Sequence, residues 1–351
     1  MSSVLVTGGA GFIGTHTCLA LIEKGYNLCV VDSFVNSSRK SLKSVLKILK
    51  NNHIDANNKL EIFDGDIRDK NFLNKVFLSS LNNKKPIKSV IHFAGLKSVK
   101  ESILNPSLYW DCNFVGSLNL IQTMLEHKCY TIVFSSSATI YGLSNKSPIS
   151  ENGVINPINP YGRTKNSIEL LLRDVFNSNK DKFRVANLRY FNPIGAHPSG
   201  LIGEDPKGKP NNIFPLITKV AVGKIDKINI YGNDWETRDG TGVRDYIHVM
   251  DIADGHIKSL DYLCSNKPQL INLNLGTGIG SSVFELIKTF QKVNNISIPF
   301  AIGSRRDGDV AEMVADSLKA KSLINWRPSL TLEDMCRDGF NWQIKNPNGF
   351  L

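Results

Sequence analysis

Along the first half of the chain, short runs of apolar, largely β-branched residues alternate with longer amphipathic stretches. Val4 to Val6, Leu28 to Val31, Leu60 to Phe63, Val90 to Phe93, Thr131 to Phe134 and Val185 to Leu188 have the length and composition of strands buried on both faces of a parallel sheet. The stretches between them are long enough for helices. Residues 12–24 set Cys18, Leu21 and Ile22 on one helical face, and residues 107–127 carry a stripe through Phe114, Leu118, Ile121 and Leu125.

Strand, helix and strand in repetition predict an α/β fold with a doubly wound parallel sheet of the Rossmann type. After residue 192 the texture changes, and Gly, Pro and Asn cluster in "NPIGAHPSGLIGEDPKGKPNN", a loop-rich stretch long enough to be functional. Strands at Ile228 to Tyr231 and Ile271 to Leu275, with helical patterns near 282–293 and 331–343, then predict a smaller C-terminal α/β lobe. The expected division is a nucleotide-binding domain over 1–191 and a substrate-binding lobe over 192–351, exchanging some elements with it. No internal repeat or low-complexity linker interrupts the chain.

Composition adds mainly exclusions. The 351 residues are 41% hydrophobic and 21% charged, ordinary for a soluble globular protein. No apolar run approaches the length of a membrane span, and "MSSVLVTGG" enters a strand at once, so a cytoplasmic protein is expected. Six scattered cysteines without a C-x-x-C pair, and seven histidines without ligand spacing, predict free thiols and no metal site. The formal charge of +10 gathers in Lys- and Asn-rich connecting segments such as 38–59 and 177–184. Aromatic residues do not interleave with it as in a base-stacking platform, so nucleic acid is not an expected partner. A basic surface still attracts an anionic substrate.

Candidate chemistry begins at "TGGAGFIG", where Gly8, Gly11 and Gly14 fall at the turn from the first strand into the first helix. Such glycines permit a tight turn, close approach of backbone to a pyrophosphate and close packing of helix on strand, with the helix N-terminus facing the phosphates. Asp32 ends the second strand, where an acid accepts from both adenosine ribose hydroxyls and repels a 2′-phosphate; NAD is therefore favoured over NADP. Asp66 with Ile67, and Phe93 to Gly95, stand at later strand ends suited to the adenine, ribose and phosphates.

The second constellation pairs "FSSSATIYG" with "NPYGRTK". Asn159 and Pro160 are an N-cap and first helical residue, so Tyr161 and Lys165 share one face at the start of a helix. A free tyrosine ionises near pH ~10. The charge of Lys165, the helix N-terminus and an oxidised nicotinamide are expected to favour the phenolate, making Tyr161 a base. Ser137, at the end of the fifth strand, would hold the hydroxyl that Tyr161 deprotonates.

These motifs, with "VIHFAGLKSVKES", "LRYFNPIGAHPSGLIGEDP", "GTGVRDYIHVMDIADGH" and "WRPSLTLEDMCRDGFNWQ", resemble the extended short-chain dehydrogenase/reductase family nearly end to end, in its sugar-nucleotide epimerase branch. The resemblance implies tightly bound NAD, removal of the C4 hydride of a UDP-sugar, a 4-keto intermediate that turns in the site, and return of the hydride to its other face. UDP-galactose and UDP-glucose would thus interconvert without net oxidation. Cofactor contacts implied by it are Phe12, Ile13, Asn36, Ser37, Ala94, Lys97, Asn113, Ser135 and Phe191, beside the residues already named. Substrate contacts implied by it are Asn192, Asn212, Tyr231, Arg244, Arg306, Asp309 and a pocket-gating Met313, beside Ser137 and Tyr161. A homodimer through the helices at 107–127 and 161–176 is implied likewise. Met313 is bulky enough to argue against N-acetyl sugars. Sister dehydratases place a further acid just after the strand-end Ser or Thr, whereas Ala138 and Thr139 stand here. A regulatory protein of the same fold without turnover usually lacks the Tyr and Lys, which this chain has.

Overall fold

The computed structural model describes residues 2–350 except 57, 209, 211 and 307. Strands and helices alternate from the start: β1 (Ser3–Thr7), α1 (Phe12–Glu23), β2 (Asn27–Asp32), α2 (Arg39–Asn51), β3 (Leu60–Asp64), α3 (Lys70–Asn82) and β4 (Ile87–His92). Then come α4 (Val99–Leu104), α5 (Pro106–Tyr109), a π-helical turn over Trp110–Val115, α6 (Gly116–Glu126), β5 (Thr131–Ser137), α7 (Pro160–Ser178) and β6 (Arg184–Tyr190). The remainder contributes β7 (Asn192–Ile194), α8 (Ile213–Ala221), β8 (Ile228–Tyr231), β9 (Val243–Arg244), β10 (Tyr246–His248), α9 (Val249–Ser265) and β11 (Leu270–Leu275). Last are β12 (Ser281–Ser282), α10 (Val283–Asn294), β13 (Phe300–Gly303), β14 (Glu312–Met313), α11 (Leu318–Ile324) and α12 (Leu332–Lys345).

The chain packs as two compact units. The first takes the chain up to Ile140 with Pro157–Arg189 and Ala253–Leu273; the second takes Tyr141–Asn156, Tyr190–Ile252 and the chain from Asn274 on. In the first, seven strands lie in the order β11-β6-β5-β4-β1-β2-β3, parallel along every register from β3 to β5. Parallel strands send their outgoing loops to one edge, and the order reverses at β1 and β4, the place where such sheets bind ligands. The core joins Leu5, Val31, Val90, Ile132 and Phe134 of the strands to Val76, Leu120, Met124, Ile168 and Leu172 of the helices. The second unit has its own core, in which Phe214 and Ile217 of α8 meet Leu286 and Phe290 of α10 and Met335 of α12. Its strands form small sheets, β12-β9-β14, β10-β7 and β13-β8.

Three local expectations change. Segment 38–59, read as a connector, contains α2: Ser38 caps it, and Leu42, Val45, Ile48 and Leu49 are buried along one face. Burial of each contributes about 1.5–3 kcal/mol, which outweighs the lysines that mask the period. Ile271 to Leu275, placed by sequence in the smaller lobe, is β11 on the edge of the large sheet. Residues 107–127 are helical but pass through a π turn, and the buried face is Asn113, Gly116, Ser117, Leu120, Ile121 and Met124. Of the predicted stripe only Ile121 is fully buried; Phe114, Leu118 and Leu125 sit at its margin. All six cysteines are free, four of them buried. Among the described residues no helix is long and apolar enough to cross a membrane, and no group of three or more His, Cys, Asp and Glu is placed to hold a metal ion.

Candidate active site

In the first unit, the loop from β1 to α1 shows why its glycines are needed. Gly8 has a left-handed φ of +70°, and an added Cβ would lie 2.6 Å from Ala94 N, so the backbones leaving β1 and β4 touch there. A Cβ on Gly14 would lie 2.3 Å from Gly8 O, so α1 packs directly on the loop. Gly11 is the N-cap of α1; no side chain caps the helix and no acid stands in its first turn, which Phe12 and Ile13 open. N–H groups without a side-chain cap and the positive end of the helix dipole suit the pyrophosphate of a dinucleotide.

Asp32, at the end of β2, is 7% exposed and firmly seated. Its Oδ2 accepts from Ala10 N at 2.9 Å, and Oδ1 accepts from Phe34 N at 2.9 Å and from the Ser37 hydroxyl at 2.7 Å. Asn36 beside it is exposed. Beyond β3, Asp66 accepts from Arg68 Nη2 at 2.7 Å and Nε at 3.1 Å, and these bonds hold its carboxyl below the usual range. Ile67 is buried against the bare flank of Gly116. After β4, Phe93 N and Ala94 N both donate to Thr7 O, and Phe93 packs on His256 at 4.6 Å between ring centroids. Asn113 binds the next turn, its Oδ1 accepting from Leu96 N at 2.7 Å and its Nδ2 donating to Leu96 O at 3.0 Å and to Thr164 Oγ1 at 3.2 Å. An added Cβ on Gly95 would press on that amide. Lys97 Nζ lies 6.0 Å from the Phe12 ring centroid. Phe191 falls in the second unit, buried, with its N–H directed to Leu275 O.

The three candidate catalytic residues come from two elements of the first unit. Asn159 Oδ1 accepts from Gly162 N at 2.8 Å and Pro160 opens the helix, so α7 starts where the sequence predicts. Ser137 ends β5, and its Oγ is hydrogen-bonded to the Thr139 hydroxyl on the following 3₁₀ turn, Ala138–Tyr141. Lys165 is buried; its Nζ donates to Ser135 O at 2.6 Å and lies 4.8 Å from the Phe134 ring centroid and 6.0 Å from that of Tyr161. Burial brings its amine down to about 7, opposed by the carboxylate of Glu169. The Tyr161 phenol is pushed up, not down: desolvation outweighs the hydrogen bond from Ser137 that lowers it. The sequence expectation adds the charge of an oxidised nicotinamide to those of Lys165 and the helix N-terminus; without that cofactor, desolvation disfavours the anion.

In the second unit, β9 and β14 pair with Arg244 opposite Met313. Arg244 Nη1 donates to Val243 O and Val310 O, each at 2.9 Å, and its Nη2 lies 3.7 Å from Asp309 Oδ1. Arg306 reaches the same carboxylate with Nε and Nη2, each at 3.2 Å, and its guanidinium lies 5.4 Å from the Tyr231 ring centroid. Two forked cations around one partly exposed acid can clasp a diphosphate. Tyr231, Arg244, Arg306, Asp309 and Met313 are thus brought together. Asn192 lies on β7, its N–H donating to Asp245 O, and Asn212 is an exposed N-cap of α8 that makes no side-chain cap.

Sequence reasoning missed several supports. Asp245 is wholly buried and accepts from Thr277 N, Thr277 Oγ1, Gly278 N and Ala315 N, so it ties β9 to the "NLGTG" loop and β14. Arg305 stacks on Trp235 at 4.2 Å and bonds Asp234. His92 joins Thr7 Oγ1 at 2.6 Å to Ser117 Oγ at 2.8 Å, and burial drives its imidazole down to about 3, so it is a neutral strut. Glu169 and Arg189 form a buried ion pair. Only Glu169 left a readable signal, eight residues from Tyr161 on the same helical face.

A family model described as GDP-mannose 4,6 dehydratase matches residues 5–339. The UDP-glucose 4-epimerase 2 of Arabidopsis thaliana is 47% identical over 99% of this chain and 97% of its own length. The UDP-glucose 4-epimerase of Bacillus subtilis is 45% identical over 99% of this chain and 98% of its own. The crystal structure of UDP-glucose 4-epimerase from Bifidobacterium longum, in complex with NAD+ and UDP, superposes with a TM-score of 0.91 at 45% identity, covering 99% of this chain and 100% of that one.

Proposed function

The chain belongs to the family described as GDP-mannose 4,6 dehydratase, and from that membership and its near relatives we infer that it is an NAD-dependent UDP-glucose 4-epimerase, an isomerase of UDP-glucose and UDP-galactose. One observation carries this reading over dehydration. The turn Ala138–Tyr141 after Ser137 holds no carboxylate, so a sugar oxidised at C4 meets no acid there to drive elimination.

In this reading Tyr161 takes the proton of the sugar 4-hydroxyl and later returns one to the 4-keto oxygen, while Ser137 holds that oxygen in line. Lys165, anchored on Ser135 O, supplies positive charge beside the phenol. When bound, NAD supplies the acceptor and donor of the C4 hydride and a positive charge that lowers the phenol's proton affinity. Gly8, Gly11, Phe12, Ile13 and Gly14 would hold its pyrophosphate and Asp32 and Ser37 its adenosine ribose. Asn36, Asp66, Ile67, Phe93, Ala94, Gly95, Lys97, Asn113, Ser135 and Phe191 would complete that site. Asn192, Asn212, Tyr231, Arg244, Arg306 and Asp309 would take the UDP, with Met313 limiting N-acetyl sugars; equal turnover of UDP-N-acetylglucosamine and UDP-glucose refutes that limit.

The cofactor domain is assigned to 1–191 and the substrate lobe to 192–351, with some elements exchanged between them, Tyr141–Asn156 and Ala253–Leu273 among them. A cytoplasmic homodimer completes the reading. The dimer is supported by apolar side chains left exposed on α4, α5, α7 and the π turn, among them Ile103, Leu104, Leu108, Val115 and Leu170. Light scattering on the purified protein tests the dimer. The activity is tested by incubating the protein with UDP-galactose and no added NAD. UDP-glucose without released NADH is expected, whereas a 4-keto-6-deoxy product, or no product, overturns the reading.

A further inference from the structure

The middle of α7, on its catalytic face, holds a charged group that the reaction scheme leaves without a task. Glu169 is 7% exposed and stands one turn beyond Lys165. Its Oε1 accepts from the Ser136 hydroxyl and from Arg189 Nε at 3.0 Å, and its Oε2 accepts from Arg189 Nη2 at 2.6 Å. Arg189, near the end of β6, is 3% exposed. A carboxylate gripped from both sides in this way cannot swing out to water. Removing two ions from water is costly, and such a pair is weak evidence for added stability. A role in placing charge accounts better for a buried pair at this position.

We propose that Glu169, locked by Arg189 and Ser136, is a positioning residue for Lys165: a fixed counter-charge that keeps the ammonium bound to Ser135 O, beside the Tyr161 phenol. The three serines that close β5 divide the work. Ser135 receives Lys165 on its carbonyl, Ser136 pins Glu169, and Ser137 serves the substrate oxygen. The other groups facing Lys165 offer no competing anion. His92 of β4 is neutral, Phe134 of β5 presents its ring, and Tyr161 of α7 keeps its proton in the free protein. Glu169 is the group that raises the proton affinity of Lys165 against burial. Without it the amine loses its proton at a lower pH, and the phenol loses the positive charge that favours its ionised form.

The proposal rests on the Tyr161–Lys165 reading above, and the test separates the two. Three forms are compared: wild type, Glu169→Gln, and Glu169→Gln with Arg189→Gln, in which no unpaired guanidinium remains. Lysine labelled at Cε is titrated by NMR in the holoprotein, with Lys165→Met to assign the resonance, and kcat and KM for UDP-galactose are followed across pH. In Glu169→Gln the Lys165 midpoint and the alkaline limb of kcat should both move down by about one pH unit, a roughly tenfold loss of kcat above the limb, with KM unchanged. The double variant should regain thermal stability and keep a lowered midpoint. A double variant that regains the wild-type midpoint, or a single variant that melts earlier with its midpoint unmoved, overturns the proposal and leaves Glu169 a structural residue. Absence of turnover in the wild type would instead sink the epimerase reading, and the NMR midpoint would still decide the role of Glu169.

Discussion

Substituting alanine at two glycines of the same loop separates folding from cofactor binding. Gly11 has an ordinary φ of −73°, and an added Cβ would meet only Gly8 O, at 3.3 Å. The loop yields by a few tenths of an ångström, and α1 loses the preference for Gly over Ala at its N-cap, about 0.5–1 kcal/mol. The methyl otherwise meets no atom within 4 Å at the N-cap of α1, where the pyrophosphate is assigned. Gly8 differs in every respect. Its φ of +70° costs alanine about 1–2 kcal/mol. The Cβ would also stand 2.6 Å from Ala94 N and 2.9 Å from Phe93 C, so the backbone after β4 must move. That overpacking adds about 1–3 kcal/mol. Gly11→Ala should therefore melt within a few degrees of wild type and purify with at least about tenfold less NAD, measured after acid release, a loss of about 1.4 kcal/mol in binding. Gly8→Ala should lose both stability and NAD. A Gly11→Ala protein that carries wild-type NAD would refute the assignment of this loop to the cofactor.

Tyr161→Phe removes the proton acceptor while keeping the ring, so kcat should fall by about 10²–10⁴ with little change in melting temperature; undiminished turnover would deny Tyr161 its role. Asn159→Ala frees Gly162 N at the start of α7, and urea titration should show a loss of about 1 kcal/mol. Lys165 gives a pH signature. Its folded value, about 7, lies below the ordinary 10.5, so below pH 7 both states carry the proton, and above it only the unfolded chain does. Stability should thus rise between about pH 7 and 10, by at most ~1.4 kcal/mol per unit, and Lys165→Met should abolish that slope in urea titrations of the cofactor-free protein.

What the sequence exposes follows from how each element is stabilised. Strands β1, β2, β4, β5 and β6 are buried along most of their length, so their apolar runs are unmistakable, and the start of α7 is announced by Asn159 and Pro160. Helix α2 was hidden because lysines fill its outer positions and only Leu42, Val45, Ile48 and Leu49 report the period. Strands β9, β12 and β14 have two residues each, too few to show any alternation. At Tyr161 the neighbouring charges can be read from spacing, whereas the desolvation that raises the phenol cannot. The bond that Arg189 donates to Glu169 joins β6 to α7, and no local pattern links them.

The central claim is that one hydride leaves C4 of the sugar and returns to the same carbon. UDP-galactose deuterated at C4, incubated with unlabelled holoprotein, should give UDP-glucose that keeps the label at C4, read by mass spectrometry and proton NMR. Product with hydrogen at C4, or with the label in solvent or in released NADH, would contradict it.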